Sequence, residues 1–216
     1  MHRFLITGLV AAALIPAAGA SAQSCLGLQP LTTHPTNVTV TGQFTDGAKS
    51  LDGRFGFGSS IAFGGIAAQV VSYDNIDGTS KGIYVDGGLS YLAGASRNVS
   101  ICPVGTLGYT FNPDGGTTAN SHTTVGQAGL AIGANFGSAP SMRLIPFGSL
   151  QLRYSRYDSD YQGTSLSDSD TIGLIGGGLG IVLTDAVSLR PSVTVPLKSG
   201  YKTTWGIGIS FALGGR

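Results

Sequence analysis

The segments VSLRPSVTV (residues 187–195) and TWGIGISFAL (residues 204–213), separated by a polar loop around Lys198-Ser199-Gly200, decide how this chain folds. In the first, Val187, Leu189, Pro191, Val193 and Val195 alternate with Ser188, Arg190, Ser192 and Thr194. In the second, Trp205, Ile207, Ile209, Phe211 and Leu213 alternate with Thr204, Gly206, Gly208, Ser210 and Ala212. A period of two places each set on one face of a sheet. The second set is too small and too weakly charged to make a good water-facing surface, whereas Gly, Ser and Ala suit a crowded barrel interior. The large apolar set therefore suits lipid, so the pattern reads as a membrane strand pair with small residues inside.

The N-terminus agrees with an exported protein. Arg3 precedes an apolar run from Phe4 to Ala18, which ends in Ala18-Gly19-Ala20 and Ala20-Ser21-Ala22. The run is shorter than the ~20 residues a spanning helix needs, and its small-residue end suits cleavage after Ala20 or Ala22. Residues 1–22 are expected to be a cleaved secretory signal, 23–36 an N-terminal periplasmic arm, 37–213 a barrel and 214–216 a short tail. Ala22-Gln23-Ser24 before Cys25 lacks the apolar character of a lipobox.

Composition restricts the class further. The 216 residues include 35 Gly, all 11 acidic residues are Asp, and the net charge is +1, so neither nucleic acid nor an acidic partner is implied. Beyond the signal no apolar run approaches helix-spanning length. A spanning structure must then be a closed barrel, because lipid offers nothing to the backbone groups of an open sheet edge.

Working back from the C-terminus, strands are expected at roughly 202–213, 187–195, 171–183, 144–157, 124–136, 100–111, 82–92 and 61–73. The connection at Thr184-Asp185-Ala186 is short, while 158–170, 112–123 and 74–81 read as longer polar loops, the asymmetry of an outer-membrane barrel. Asn37 to Phe44 and Ser50 to Gly58 can add two strands about the Thr45-Asp46-Gly47 turn. The fold class is all-β, a transmembrane antiparallel up-and-down barrel of eight to ten strands, with ten slightly favoured and eight the alternative. The 61–73 strand shows no clean phase, which points to a bulge at Gly64-Gly65. Tyr73, Tyr109, Tyr154 and Trp205 near the outer strand ends, and Tyr91, Phe136, Phe147 and Phe211 near the periplasmic ends, make two interfacial girdles.

Together the signal, the alternation over roughly residues 37–213 and the final Trp205 to Phe211 strand resemble the small outer-membrane β-barrel proteins of bacteria, the OmpA/OmpX-like group. The resemblance implies a bacterial outer-membrane location reached through the periplasm, with lipid and lipopolysaccharide as surroundings. It also implies transient contact with the barrel-assembly machinery, which reads a terminal aromatic residue; here Phe211 is followed by Ala212-Leu213-Gly214-Gly215-Arg216. The resemblance is to such barrels without a peptidoglycan-binding domain, so a cell-wall anchoring role of that kind is not expected.

Once that topology is drawn, Cys25 and Cys102 both fall at the periplasmic end, in an oxidising compartment, and a disulfide pinning the arm is expected. Asp86, Arg153 and Arg190 face the lumen, with Arg54 joining them if its strand has the matching phase. Unpaired charge in a narrow barrel is costly, so Asp86 is expected to pair with an arginine and partly plug the interior. Asp158, Asp160, Asp168 and Asp170 crowd one outer loop, where weak divalent-cation capture competes with plain solvation. His34 in the arm and His122 in a loop near Asp114 lack a third catalytic partner, and the Gly173–Gly180 run lacks the Lys-Ser/Thr pair of a phosphate cradle. No catalytic residue, metal or cofactor is assigned. The expected role is non-enzymatic, in envelope structure or in binding an unidentified surface ligand through the outer loops. A narrow porin-like channel is the alternative, and an outer-rim membrane enzyme comes third.

Overall fold

The computed structural model describes residues 24–27, 35–59, 61–74, 76–93, 98–112, 120–136, 142–161 and 164–214. The expected signal, His34 and Asp114 lie outside these residues. The strands, in chain order, are β1 (Thr36–Thr45), β2 (Ala48–Gly58), β3 (Ala62–Tyr73), β4 (Ile76–Leu89), β5 (Tyr91–Ala93), β6 (Val99–Phe111), β7 (Asn120–Ala134), β8 (Arg143–Tyr161), β9 (Thr164–Val182), β10 (Val187–Pro196) and β11 (Thr204–Leu213). Each pairs antiparallel with its neighbours. Two pairings close the ring: β1 with β11, Thr36 opposite Leu213, and β4 with β6, Lys81 opposite Phe111. Ten strands form the barrel, and β5 continues the line of β4 beyond Ser90 along β6. Full closure leaves no spanning edge unpaired.

The faces are inverted relative to a soluble barrel. Leu107 and Leu152 are each 65% exposed and Trp205 is 63% exposed, whereas Thr39, Ser80, Ser100 and Ser188 are at most 1% exposed. Large apolar side chains that face outward in a closed sheet require an apolar surrounding, and small hydroxyl residues fill the interior. Inside, Thr39 donates to Ser210 at 2.9 Å across the closing seam.

Four expectations need correction. The stretches 158–170 and 74–81 are mainly strand, and 112–123 is partly so. β8 and β9 pair without interruption to Tyr161 opposite Thr164, β4 begins at Ile76, and β7 begins at Asn120. The outer ribbon is polar on both faces, so the apolar alternation that marks the membrane strands is missing there although the hydrogen-bond ladder continues. Residues 155–161 carry it roughly 20–25 Å beyond Tyr154 at ~3.3 Å per residue.

Strand β3 alternates cleanly, with Phe63, Gly65, Ala67, Gln69 and Val71 inward, and its irregularity falls at Ser72/Tyr73 rather than at Gly64-Gly65. Tyr73 and Phe147 leave the proposed girdles. Tyr73 faces inward and accepts from Ser80 at 3.3 Å, while the ring of Phe147 lies against Gly27. Tyr109, Tyr154 and Trp205 at one end, and Tyr91, Phe136 and Phe211 at the other, remain outward.

Candidate functional site in the barrel lumen

Both chain ends of the barrel emerge at the same rim, here called the terminal end. The short 3-10 turn Ser24–Leu26 lies inside this end. Cys25, 1% exposed, is disulfide-bonded to Cys102 of β6, with Cα atoms 6.2 Å apart. Around the bond, Phe63, Ala131, Leu26 and Val104 form a small apolar core, while Ile145, Ile172, Leu174 and Val182 are buried along β8 and β9.

Two glycines allow the arm to fit. Gly27 leaves the turn with φ +66, a left-handed conformation that L side chains avoid, and its Cα lies against the ring of Phe147. A Cβ at Gly180 would collide with the Gly27 carbonyl oxygen. The glycine-rich run of β9 therefore provides room for chain packed inside the barrel. Arg190 of β10 completes the fit by donating through Nη1 to the Leu26 carbonyl at 3.0 Å and through Nη2 to Thr41 Oγ1 at 3.5 Å.

Above this plug lies a cavity of about 750 Å³ whose lining runs from Leu26 and Phe63 to Tyr73, Asn112 and Thr204 at the distal strand ends. Asp86, Arg153 and Arg190 all line it, together with Arg54 and Asp52. Arg54 lies on the inward face of β2 and grips Asp86 with two bonds, Nε to Oδ2 at 2.7 Å and Nη2 to Oδ1 at 2.6 Å. Register explains the reach: Arg54 is opposite Ala67, the next inward residue along β3 is Gly65, and Gly65 is opposite Asp86, so the guanidinium crosses β3 over a position with no side chain. A Cβ at Gly65 would fall 2.5 Å from Arg54 Cζ.

Asp52 was not singled out from the sequence, although its place two residues before Arg54 on an alternating strand puts both on one face. Gln43 Nε2 donates to its Oδ2 at 2.7 Å, and Ser50 is 3.5 Å away. Gln69, Tyr84 and Thr110 form a second polar set. Tyr84 donates to Gln69 Oε1 at 2.9 Å, and its hydroxyl also lies 2.9 Å from that of Thr110. Gln127 donates to Gln151 beside Arg153. No carboxylate lies within ion-pair distance of Arg153 among the described residues, and its Nε is buried without a hydrogen-bond partner.

The four outer aspartates do not converge. Register puts Asp158 and Asp160 on the outward face of the ribbon, with Asp168 and Asp170 on the opposite face. Asp158 accepts from Arg156 at 3.1 Å, and Asp160 accepts from Ser165. A bond from Ser167, with help from Arg156, holds the Asp158 carboxyl below the usual range. Asp168 and Asp170 accept from the backbone N–H groups of Ser169 and Thr171, each at 2.8 Å. Asp170 also receives Lys198 Nζ at 2.5 Å and the Tyr201 hydroxyl. Those two donors hold the Asp170 carboxyl below its ordinary range, while Asp170 pushes the Lys198 ammonium and the Tyr201 phenol up.

These bonds cap a sheet edge. β10 pairs with β9 only up to Pro196 opposite Leu174, and Leu197 N–H bonds to Gly173 O, so residues 164–172 have no strand on that side. Alternation from Gly173 directs the N–H groups of Thr171 and Ser169 toward the open edge, where the two carboxylates occupy them. The acidic stretch thus protects an edge, and four carboxylates split over two faces cannot form one cation site.

His122 is also displaced from its expected place. It lies in strand β7, stacked on Tyr109 with centroids 5.1 Å apart and 3.7 Å from Asp158. Among the described residues no group of three or more His, Cys, Asp or Glu side chains is placed to hold a metal ion.

Solved structures share this architecture. The chain is similar to the translocator domain of the autotransporter NalP from Neisseria meningitidis, with TM-score 0.52 and 13% identity over 91% of this chain and 100% of that one. It is also similar to the N-terminal β-barrel domain of Pseudomonas aeruginosa OprF, with TM-score 0.40 and 14% identity over 83% and 97%. Ail, the attachment invasion locus protein of Yersinia pestis, gives TM-score 0.43 and 14% identity over 82% and 98%. No protein-family model matches the chain, and no curated protein matches it in sequence. At these identities the likeness is one of fold, that of small bacterial outer-membrane β-barrels.

Proposed function

We propose that this chain is a non-enzymatic barrel of a bacterial outer membrane that presents its distal ribbon and loops at the cell surface while its lumen is closed on the periplasmic side. The observation that carries this reading is the arm. Cys25 to Gly27 is disulfide-bonded, packed against Phe147 and Gly180, and held by Arg190 inside the terminal end of the barrel. A segment fastened at three places obstructs the route by which a solute would leave. The outward apolar band supports the membrane setting, with lipid and lipopolysaccharide around it, and the polar β8–β9 ribbon supports a surface role for an unidentified ligand. On this reading residues 1–22 direct export, and the assembly machinery acts on the chain during insertion.

The test is conductance of the refolded mature protein, oxidised, in planar bilayers, after heat-modifiable gel mobility has established folding. Silence is expected. Discrete, reproducible openings favour the second reading, a narrow channel, for which the charged cavity of about 750 Å³ is the supporting observation.

A further inference from the structure

We propose that the lumen cavity holds a small carboxylate or oxyanion at Arg153. Charge balance within the cavity leads to this residue. Five lumen-facing charges line it: Arg54, Arg153, Arg190, Asp52 and Asp86. Arg54 and Asp86 neutralise each other through two short bonds. Arg190 contacts neutral oxygens, and Asp52 contacts a neutral amide and a hydroxyl, so these two balance each other only at a distance. Arg153 has no carboxylate within ion-pair distance among the described residues, and its buried Nε has no hydrogen-bond partner.

The Nε of Arg153 is buried without an acceptor, and a guanidinium confined to a narrow lumen favours a counterion there. Its lumen-facing neighbours bring donors to the same recess. Gln127 stands opposite Arg153 across β7 and β8, and Thr106 stands opposite Gln127 on β6. Because Gln127 Nε2 is spent on Gln151 Oε1, the Gln151 amide keeps both of its own N–H groups on the side of the strand that carries Arg153. A guanidinium fork, an amide and a hydroxyl in one polar recess form a donor set for a planar carboxylate or an oxyanion such as phosphate. The cavity has room for an acid of several heavy atoms. The inference is independent of conductance, since a closed lumen holds an ion as well as an open one.

Acetate and inorganic phosphate are the probes. In the oxidised wild-type barrel, acetate is expected to slow phenylglyoxal modification of Arg153, read by peptide mass spectrometry, by roughly threefold or more, as a charge-assisted contact shields the fork. Modification of Arg156, which is exposed on the ribbon, is expected to be unaffected. The protection must saturate, and phosphate must compete with it. Equal Arg153 rates with and without both anions, or a linear unsaturable effect shared by Arg156, overturn the site. As a second measurement, fluorine NMR of trifluoroacetate is expected to broaden saturably with wild type and not with folded Arg153→Met. Equal broadening with both proteins also overturns it.

Discussion

The guanidinium of Arg190 donates to the carbonyl of Leu26 at 3.0 Å, joining the tenth strand to a segment 164 residues earlier in the chain. That bond, the Cys25–Cys102 disulfide and the contact of Gly27 with Phe147 hold the arm from three sides of the lumen. Arg190→Gln with both cysteines retained is expected to leave the arm in place, because two attachments remain. Combined with Cys25→Ser and Cys102→Ser, it is expected to free the arm and make residues 24–27 protease-sensitive in the folded barrel. Limited proteolysis followed by mass spectrometry reads the difference, and cleavage of the oxidised wild type at equal rate contradicts the attachment.

The disulfide spans a sequence separation of 77 residues. Closing a loop of that size removes about 4–5 kcal/mol of unfolded-chain entropy, an upper figure for the stabilisation. Reduction is therefore expected to lower the urea midpoint of the refolded barrel without changing its strand content, measured by circular dichroism with and without dithiothreitol. An unchanged midpoint contradicts a structural role for the bond.

Arg54 and Asp86 are only 13% and 20% exposed. Asp86→Asn is expected to destabilise the barrel by about 1–3 kcal/mol, less than the ~3–5 of a dry broken pair because the cavity is polar. The double variant Arg54→Met/Asp86→Leu is expected to recover most of that loss, since it leaves no orphan charge. Denaturant midpoints of the three proteins test it, and additive losses in the double variant exclude coupling.

Asp170 connects the ribbon to the last loop through Lys198 and Tyr201. Its carboxyl lies below the ordinary aspartate value of 3.8 in the folded state, held there by Lys198 and Tyr201, so its contribution is full above that value and is lost as pH falls through the lower folded pKa. Tyr201 and Lys198 are shifted up, so their side of the tether persists past pH 10 and fails only as pH rises further. Trp205, the one tryptophan, is the second residue of β11, the strand after this loop. Its fluorescence is expected to change below pH 3.8 in wild type, and Asp170→Asn is expected to show the acid signal already at neutral pH. An identical titration in both proteins removes the tether from the account.

The carboxylates of Asp168 and Asp170 also occupy the N–H groups of the unpaired β9 edge. Asp168→Ala/Asp170→Ala is expected to uncover that edge and yield dimers or larger species in detergent, resolved by size-exclusion chromatography with light scattering. A monomeric double variant contradicts the edge-capping role.

The membrane strands were legible because lipid outside and small residues inside impose a strict two-residue period, clear from Val187 to Leu213 and again from Ala128 to Phe136. Strand β3 was obscure because Gly65 and Ala67 face inward beside Gly64 and Ala68 facing outward, leaving little contrast between the faces. The outer ribbon reads as loop in sequence because the stretch 158–170 is rich in Asp and Ser at both alternating positions, so hydropathy carries no phase there. Asp52 escaped notice although it shares a face with Arg54. The role of Gly65, giving passage to the Arg54 side chain, depends on cross-strand register that only the folded sheet supplies. Phe147 reads as a periplasmic girdle residue from sequence, because an aromatic near a strand end is ambiguous until the arm is seen against it.

The central claim is that the arm lies inside the barrel, and the most direct measurement is the nuclear Overhauser contact between Gly27 Hα and the Phe147 ring in the refolded, oxidised mature protein. A strong cross-peak, lost on reduction combined with Arg190→Gln, is the expected result. Its absence from a well-folded, oxidised barrel, with the residue 24–27 amides exchanging at unprotected rates, contradicts the closed lumen.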